Sequence, residues 1–243
     1  MRRRLGLGAA FLAVALLAGF TAARAEGPAT VFAAASLTEA FPKISPSSRF
    51  QFASSNQLEL QITRGAPADV YASASPIYTQ DLFRSGLVEK PRTFATNSLV
   101  LAVPRSNPAK IRSVQDLAKR PRLKLVVAGA KVPIGLYTRE VLKRLGLLRV
   151  LRKAVSQEPD VKGIVGKLAL GEADAGFVYA TDVRVASSRL IAIRLPKRSQ
   201  PSVRYEVAVV KGSKNREAAL EFVADLLSTD GRRELAKAGF GLP

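Results

Sequence analysis

Short apolar runs rich in Val, Ala, Leu and Phe alternate along the chain with stretches in which apolar residues recur every third or fourth position. The first pattern reads as strand and the second as amphipathic helix. Strands are expected at 30–35, 49–53, 69–73, 98–103, 123–128, 153–156, 173–179, 190–195 and 204–210. Helices are expected at 37–44, 56–64, 76–85, 114–120, 136–145, 161–170, 215–227 and 230–238. Most of the strands are unbroken apolar runs, as strands covered on both faces must be. Strand–helix alternation of this kind builds mostly parallel sheets flanked by helices, an α/β architecture.

Two such sheets fit the length. The strand near 99–103 runs into the Pro-rich turn Val103-Pro104-Arg105-Ser106-Asn107-Pro108, and the strand at 204–210 follows a stretch bounded by Pro196 and Pro201. These are natural crossovers between two lobes. Lobe I is then 26–98 plus 205–243 and lobe II is 99–204, joined by the two crossover strands. No internal repeat or low-complexity segment is visible after the first 25 residues.

Those 25 residues carry a different message. Arg2, Arg3 and Arg4 precede an apolar run from Leu5 to about Phe20, and Ala23-Arg24-Ala25 has the small-x-small form of a cleavage site. That order is a secretory signal peptide, and the run is short for crossing about 30 Å of hydrocarbon. Cleavage would make Glu26 the new N-terminus. The sequence has no Cys, so neither a lipidated cleavage site nor a disulfide is available. A soluble periplasmic or otherwise extracytoplasmic monomer is expected.

His is absent as well, which removes His-Cys zinc sites, Ser-His-Asp triads and Cys-His dyads together. There is no P-loop, no G-x-G-x-x-G and no S-x-x-K. An enzyme would have to work through carboxylates such as Glu158 and Asp160. Beyond the signal, 34 basic residues face 19 acidic ones, a net +15. Nucleic acid is the obvious suspicion for such a balance. Yet the longest basic run there is two residues, aromatics are 7% of the chain and Trp is absent, which leaves little to stack bases on. A surface suited to solubility or to steering anions fits better, with no nucleic acid as partner.

The chemistry collects where strands end. The strand at 30–35 runs into Ser36-Leu37-Thr38-Glu39, which has the form of a capping box. The strand at 49–53 runs into Ser54-Ser55-Asn56, that at 123–128 leads through Val132-Pro133-Ile134-Gly135 to a helix, and that at 153–156 leads through Pro159-Asp160 to Val161. Helix starts at strand carboxyl ends are where open α/β sheets bind ligands. Each start exposes unpaired N–H groups and about +0.5 charge, so four together supply about +2, a match for a dianion. No Arg or Lys stands at the tip of these turns. Taken singly, each Ser is explained by capping alone; it is the set of four that points to a ligand. Tyr179, at the end of the strand at 173–179, is either core filler or one further donor into the cleft. Asp69 is expected to be structural.

These segments resemble the periplasmic molybdate-binding proteins of ABC transporters. The runs that carry the likeness are Val31-Phe32-Ala33-Ala34-Ala35-Ser36-Leu37, Phe52-Ala53-Ser54-Ser55, Gly65-Ala66-Pro67-Ala68-Asp69-Val70, Val132-Pro133-Ile134-Gly135-Leu136-Tyr137, Asp160-Val161 and Gly171-Glu172-Ala173-Asp174-Ala175-Gly176-Phe177-Val178-Tyr179. The likeness spans nearly all of the chain after the signal, in order. It implies a type II periplasmic-binding-protein fold and no enzymatic activity. It implies molybdate, and with it tungstate, held by the hydroxyls of Ser36, Ser55 and Tyr179 and by backbone N–H groups at Ser36, Ser55, Ile134 and Val161. The molybdenum has no direct protein ligand, no cofactor is needed, and the partner is a permease in the inner membrane. Two features depart from the pattern. Only 19 positions separate Ser36 from Ser55, so the first helix must be short, with Pro42 and Pro46 breaking it. Ile134 stands where the family commonly has a small residue, and its β-branched side chain would narrow the site.

Overall fold

The computed structural model describes residues 27–243; the expected signal peptide at 1–25 and Glu26 lie outside them. The first segment contains β1 (Thr30–Ala34), a 3-10 turn (Ala35–Leu37), α1 (Phe41–Ile44), β2 (Arg49–Ala53), α2 (Ser55–Thr63), β3 (Val70–Ser73), α3 (Pro76–Arg84) and β4 (Arg92–Asn97). The second contains β5 (Leu99–Pro104), α4 (Asp116–Lys119), β6 (Leu125–Ala128), α5 (Pro133–Arg144), a 3-10 helix (Leu148–Lys153), β7 (Ala154–Glu158), α6 (Val161–Ala169), β8 (Ala175–Tyr179), α7 (Ala180–Val185), β9 (Leu190–Arg194) and a 3-10 turn (Lys197–Ser199). The chain then returns through β10 (Val203–Val209) to α8 (Arg216–Leu227) and α9 (Thr229–Ala238).

The strands form two five-stranded sheets, ordered β2-β1-β3-β10-β4 and β7-β6-β8-β5-β9. The two orders are the same in kind. In each, three parallel strands lie beside the strand that has just crossed over, β10 or β5, which runs antiparallel to both its neighbours. Both sheets are therefore mixed, with four strands in one direction and one against. The first sheet resumes at Val203, two residues before the boundary at Tyr205 read from the sequence.

Alternation along the strands explains the layering. In β1 and β3, Val31, Ala33, Val70 and Ala72 point into the larger apolar cluster, while Phe32 and Tyr71 point to a second cluster under α2 and α3 with Leu58, Ile62 and Leu82. Side chains on both faces are buried, which is why these strands read as continuous apolar runs.

Three elements differ from the sequence reading. β4, Arg92-Thr93-Phe94-Ala95-Thr96-Asn97, is an edge strand with polar residues at its ends and lacks the apolar run that marks the others. α7 follows β8 with no loop between them, so its few residues hide behind the strand. The helix expected at 37–44 is a three-residue 3-10 turn followed by the four-residue α1. Pro42 cannot donate within a helix and is tolerated only in a first turn, so the break falls just before Phe41. Despite this short connection β1 and β2 pair in full, from Thr30 opposite Arg49 to Ala34 opposite Ala53.

α5 is seated unusually close to the strand before it. A Cβ on Gly135 would lie 2.1 Å from the Gly129 carbonyl oxygen and 2.9 Å from that of Ala128. Neither backbone atom can yield without shifting the start of α5. Gly135→Ala is therefore expected to destabilise the chain by about 1–3 kcal/mol in denaturant unfolding, as overpacking does. An unchanged midpoint would show that the helix is not held at this distance.

Candidate functional site

A small cavity lies between the sheets at the carboxyl ends of β1, β2, β6, β7 and β8. It is lined by Ala34, Ala35 and Ser36, by Ser54 and Ser55, by Ala74, by Val132, Pro133 and Ile134, by Asp160 and Val161, and by Tyr179. All five residues singled out from the sequence, Ser36, Ser55, Ile134, Val161 and Tyr179, are brought together here. The cavity volume is about 20 Å³, far below the roughly 300–1,000 Å³ typical of pockets for organic ligands. The dimensions suit a small ion.

Three of the four approaches are true helix starts. Ser55 is the first residue of α2, Ile134 the second of α5 and Val161 the first of α6. N–H groups at these positions have no partner within their own helix. The fourth, at Ser36, is only a 3-10 turn, so the dipole contribution is nearer +1.5 than +2. The capping box expected at Ser36–Glu39 is absent. Ala34 precedes the turn without a side-chain cap, Ser36 Oγ is 2.9 Å from Tyr205 Oη, and Glu39 turns to Lys162. The serine is drawn to a buried tyrosine instead of to its own backbone.

Hydroxyls complete the lining. Ser55 Oγ accepts from the Ala74 N–H at 3.0 Å, which leaves its own proton free to donate. Tyr71 Oη fixes the same residue by donating to the Ser55 carbonyl at 2.8 Å. Tyr179 is 2% exposed, and its hydroxyl has no hydrogen-bond partner among the described residues. A buried polar group left unpaired costs about 1–3 kcal/mol, so such a hydroxyl marks a place built for something else to accept from it. Burial, aided by nearby Tyr205, Tyr137 and Asp182, holds its phenol well above the ordinary range, so it remains a neutral donor.

The single carboxylate in the lining caps a helix: Asp160 Oδ1 accepts from the Gly163 N–H at 3.1 Å at the start of α6. Glu158, the other acid weighed for catalysis, accepts from Ser156 Oγ and stands against Gly163. Asp69 is structural, with Oδ2 taking the Thr30 N–H at 2.7 Å and Oδ1 the Ser213 hydroxyl at 2.6 Å. Ile134 is 1% exposed and belongs to the larger apolar cluster.

The lobes also touch around this cavity through groups that sequence reasoning missed. Tyr137 Oη, on α5, donates to the Ala74 carbonyl at 3.2 Å, and Tyr78, on α3, donates to the Lys131 carbonyl. Lys162, second residue of α6, donates to both oxygens of Glu39 at 2.8 Å and stands 3.3 Å from Asp182 Oδ1. Burial works against the Lys162 charge, but Asp182 and Glu39 outweigh it and hold the ammonium above its usual range. Nothing in the spacing of residues 39, 162 and 182 announces this trio; it exists only once the sheets face each other.

Residues 29–241 match the bacterial extracellular solute-binding proteins. The chain belongs to that family. Among similar proteins, the molybdate-binding protein ModA of Mycobacterium tuberculosis is 34% identical over 264 residues, covering 99% of this chain and 100% of the relative. The structure of the Azotobacter vinelandii periplasmic molybdate-binding protein superposes with a TM-score of 0.78 at 22% identity, over 88% of this chain and 99% of that one. The sulfate-binding protein SubI of M. tuberculosis superposes with a TM-score of 0.75 at 16% identity, over 88% and 86%. The solute-binding fold is thus shared by proteins named for different tetrahedral anions, and fold alone does not choose between them.

In this solute-binding protein the Asp182 carboxyl adjoins the cavity's supports: it accepts from the Tyr179 N–H at 3.1 Å and faces Lys162. Burial pushes it up to about 6 from the ordinary 3.8, against the pull of Lys162. Between those values the folded chain holds more proton here than the unfolded chain, so this group's contribution to stability declines as pH rises through the window. Asn copies the protonated acid. The melting temperature of Asp182→Asn relative to wild type should therefore be higher near about pH 7 than near about pH 4. A difference independent of pH would mean that Asp182 does not carry a raised pKa.

Proposed function

We propose that this chain is the capture component of a molybdate importer, taking molybdate, and tungstate with it, into the inter-lobe cavity and passing the anion to an ABC permease in the inner membrane. It works in the periplasm or an equivalent extracytoplasmic space, as a soluble monomer after signal cleavage, without catalysis, cofactor or nucleic acid. Its two lobes, 27–98 with 203–243 and 99–202, close on the ion. The observation that carries this reading is the unpartnered, buried Tyr179 hydroxyl, set in a cavity that three helix starts and two serines also face and that has no cation in its lining. Such a site suits an anion met by dipoles and neutral donors. Kinship with molybdate-binding relatives supports the choice of ion.

The donors do distinct work. With Tyr205 as the donor in its hydrogen bond to Ser36, the Ser36 hydroxyl is free to donate to the ion; Ser55 and Tyr179 donate directly; the N–H groups of Ser36, Ser55, Ile134 and Val161 complete the shell. Molybdenum is reached only through its oxygens. A protonated phosphate would need an acceptor, and the one carboxylate in the lining, Asp160, already gives one oxygen to the Gly163 N–H. Sulfate has the charge and shape of molybdate and differs in size. On this reading the donors fixed on helix starts are spaced for molybdate, and the smaller ion would leave some of them unpaired at about 1–3 kcal/mol each.

Calorimetric titration tests both parts. Tyr179→Phe removes one bond to a charged acceptor, worth about 1.5–3 kcal/mol, and should weaken molybdate by about ten-fold or more. Ser36→Ala and Ser55→Ala should each weaken molybdate and tungstate together, and Ile134→Ala should stay within about ten-fold of wild type because only its backbone donates. Unchanged binding by Tyr179→Phe would return that residue to core filler.

Because binding to the folded form alone raises stability, saturating molybdate should lift the melting temperature by several degrees while equal sulfate should not. Equal lifts by both ions would make the site a general oxyanion receptor.

A further inference from the structure

The positive charge is not spread over the molecule. Residues 99–202 hold 21 Lys and Arg against 7 Asp and Glu, a net +14, while residues 27–98 with 203–243 hold 13 against 11, a net +2. Of the 21 cations in lobe II, 17 are exposed; of its 7 acids Glu172 alone is exposed, and it is paired with Lys167. No basic run in this segment is longer than two residues; the topology gathers the charges.

The gathering is sharpest at the pole away from the cavity. β6, β7 and β8 begin there, and β5 ends there, since it runs antiparallel to β8. The connections at that pole carry Lys110, Lys119, Arg120, Arg122, Arg149 and Arg152, all exposed. Lys153 Nζ ties two of those connections together by donating to the carbonyls of Leu117 at 2.8 Å and Arg120 at 2.7 Å. Of the acids nearby, Asp116 Oδ2 accepts from the N–H groups of Arg112 and Ser113, Asp174 Oδ2 accepts from that of Lys124, and Glu172, exposed near Leu170, is paired with Lys167. Two large apolar side chains stand out at the same pole, Leu148 at 44% and Leu170 at 72% exposure, at the exits of α5 and α6.

We propose that this pole of lobe II docks on an anionic lipid bilayer. Clustered Lys and Arg are drawn to a surface of acidic headgroups. Leu148 and Leu170 decide between a bilayer and a soluble polyanion, because an apolar side chain gains by entering the headgroup boundary and gains nothing on a charged polymer. The site lies opposite the cavity, so docking leaves the ion's path open and holds the receptor near a membrane.

The test is co-sedimentation of the exported, processed chain with phosphatidylcholine vesicles, with and without about a quarter phosphatidylglycerol. Binding is expected only with phosphatidylglycerol, and about 0.5 M NaCl should release it. The variant Lys119→Glu/Arg122→Glu/Arg149→Glu/Arg152→Glu should lower partitioning by more than about ten-fold. The control Lys90→Glu/Arg92→Glu/Lys211→Glu/Lys214→Glu makes the same change of net charge on exposed lobe I residues and should stay within about two-fold of wild type. Leu148→Ser/Leu170→Ser should also weaken binding. Equal losses in both charge variants would overturn the proposal, as would capture by inorganic polyphosphate with none by vesicles. Molybdate affinity should be unaffected in every variant, which separates this result from that of the ion site.

Discussion

Parallel strands end at a common edge, and each helix that follows must begin there. That constraint governs this molecule. In each sheet the three strands β1, β2, β3 or β6, β7, β8 deliver their turns to one rim, and the two rims face each other. Helix starts bring unpaired N–H groups, and the sheets fix where those groups stand. A dianion taken from water loses its hydration and must find equivalent donors already in place. Fixed N–H groups provide them without reorganisation and without an ion pair that would have to be broken on release.

The tyrosines explain why these donors hold their positions. Tyr71 anchors the Ser55 carbonyl, Tyr205 anchors the Ser36 hydroxyl, and Tyr137 bridges from α5 to the Ala74 carbonyl in the other lobe. Burial pushes the phenols of Tyr71, Tyr137 and Tyr205 upward, so all remain neutral donors. Tyr179 packs edge-on against Tyr205 with ring centres 5.9 Å apart, yet its hydroxyl has no partner among the described residues. Around this centre, whose lining holds one carboxylate and no cation, the charged trio of Glu39, Lys162 and Asp182 sits outside the cavity lining, where its electrostatics join the lobes.

Much of this could be read from residue order, because buried parallel strands announce themselves as apolar runs and their turns as Ser, Pro and Asp at fixed places. The α/β class followed from that periodicity, and so did the cluster of turns at Ser36, Ser55, Ile134 and Val161. What escaped was local. β4 is an edge strand whose polar ends conceal it, and Pro42 splits the first helix into two fragments. The capping box read at Ser36–Glu39 does not form, and the partner Ser36 has instead, Tyr205, is 169 residues away. Long-range pairs such as Glu39–Lys162 leave no pattern in a single sequence. The charge differs in this respect: the excess in residues 99–202 can be counted along the chain, and only its gathering at one pole depends on the fold.

The most direct measurement is a crystal structure with tungstate, located by anomalous scattering from the metal. A single peak should lie in the cavity bounded by Ser36, Ser55, Ile134, Val161 and Tyr179, with the Tyr179 hydroxyl within hydrogen-bond reach of an oxygen and no Lys or Arg side chain in contact. A peak elsewhere, or an anion in this cavity paired with the Lys162 ammonium, would contradict recognition by helix starts and neutral hydroxyls.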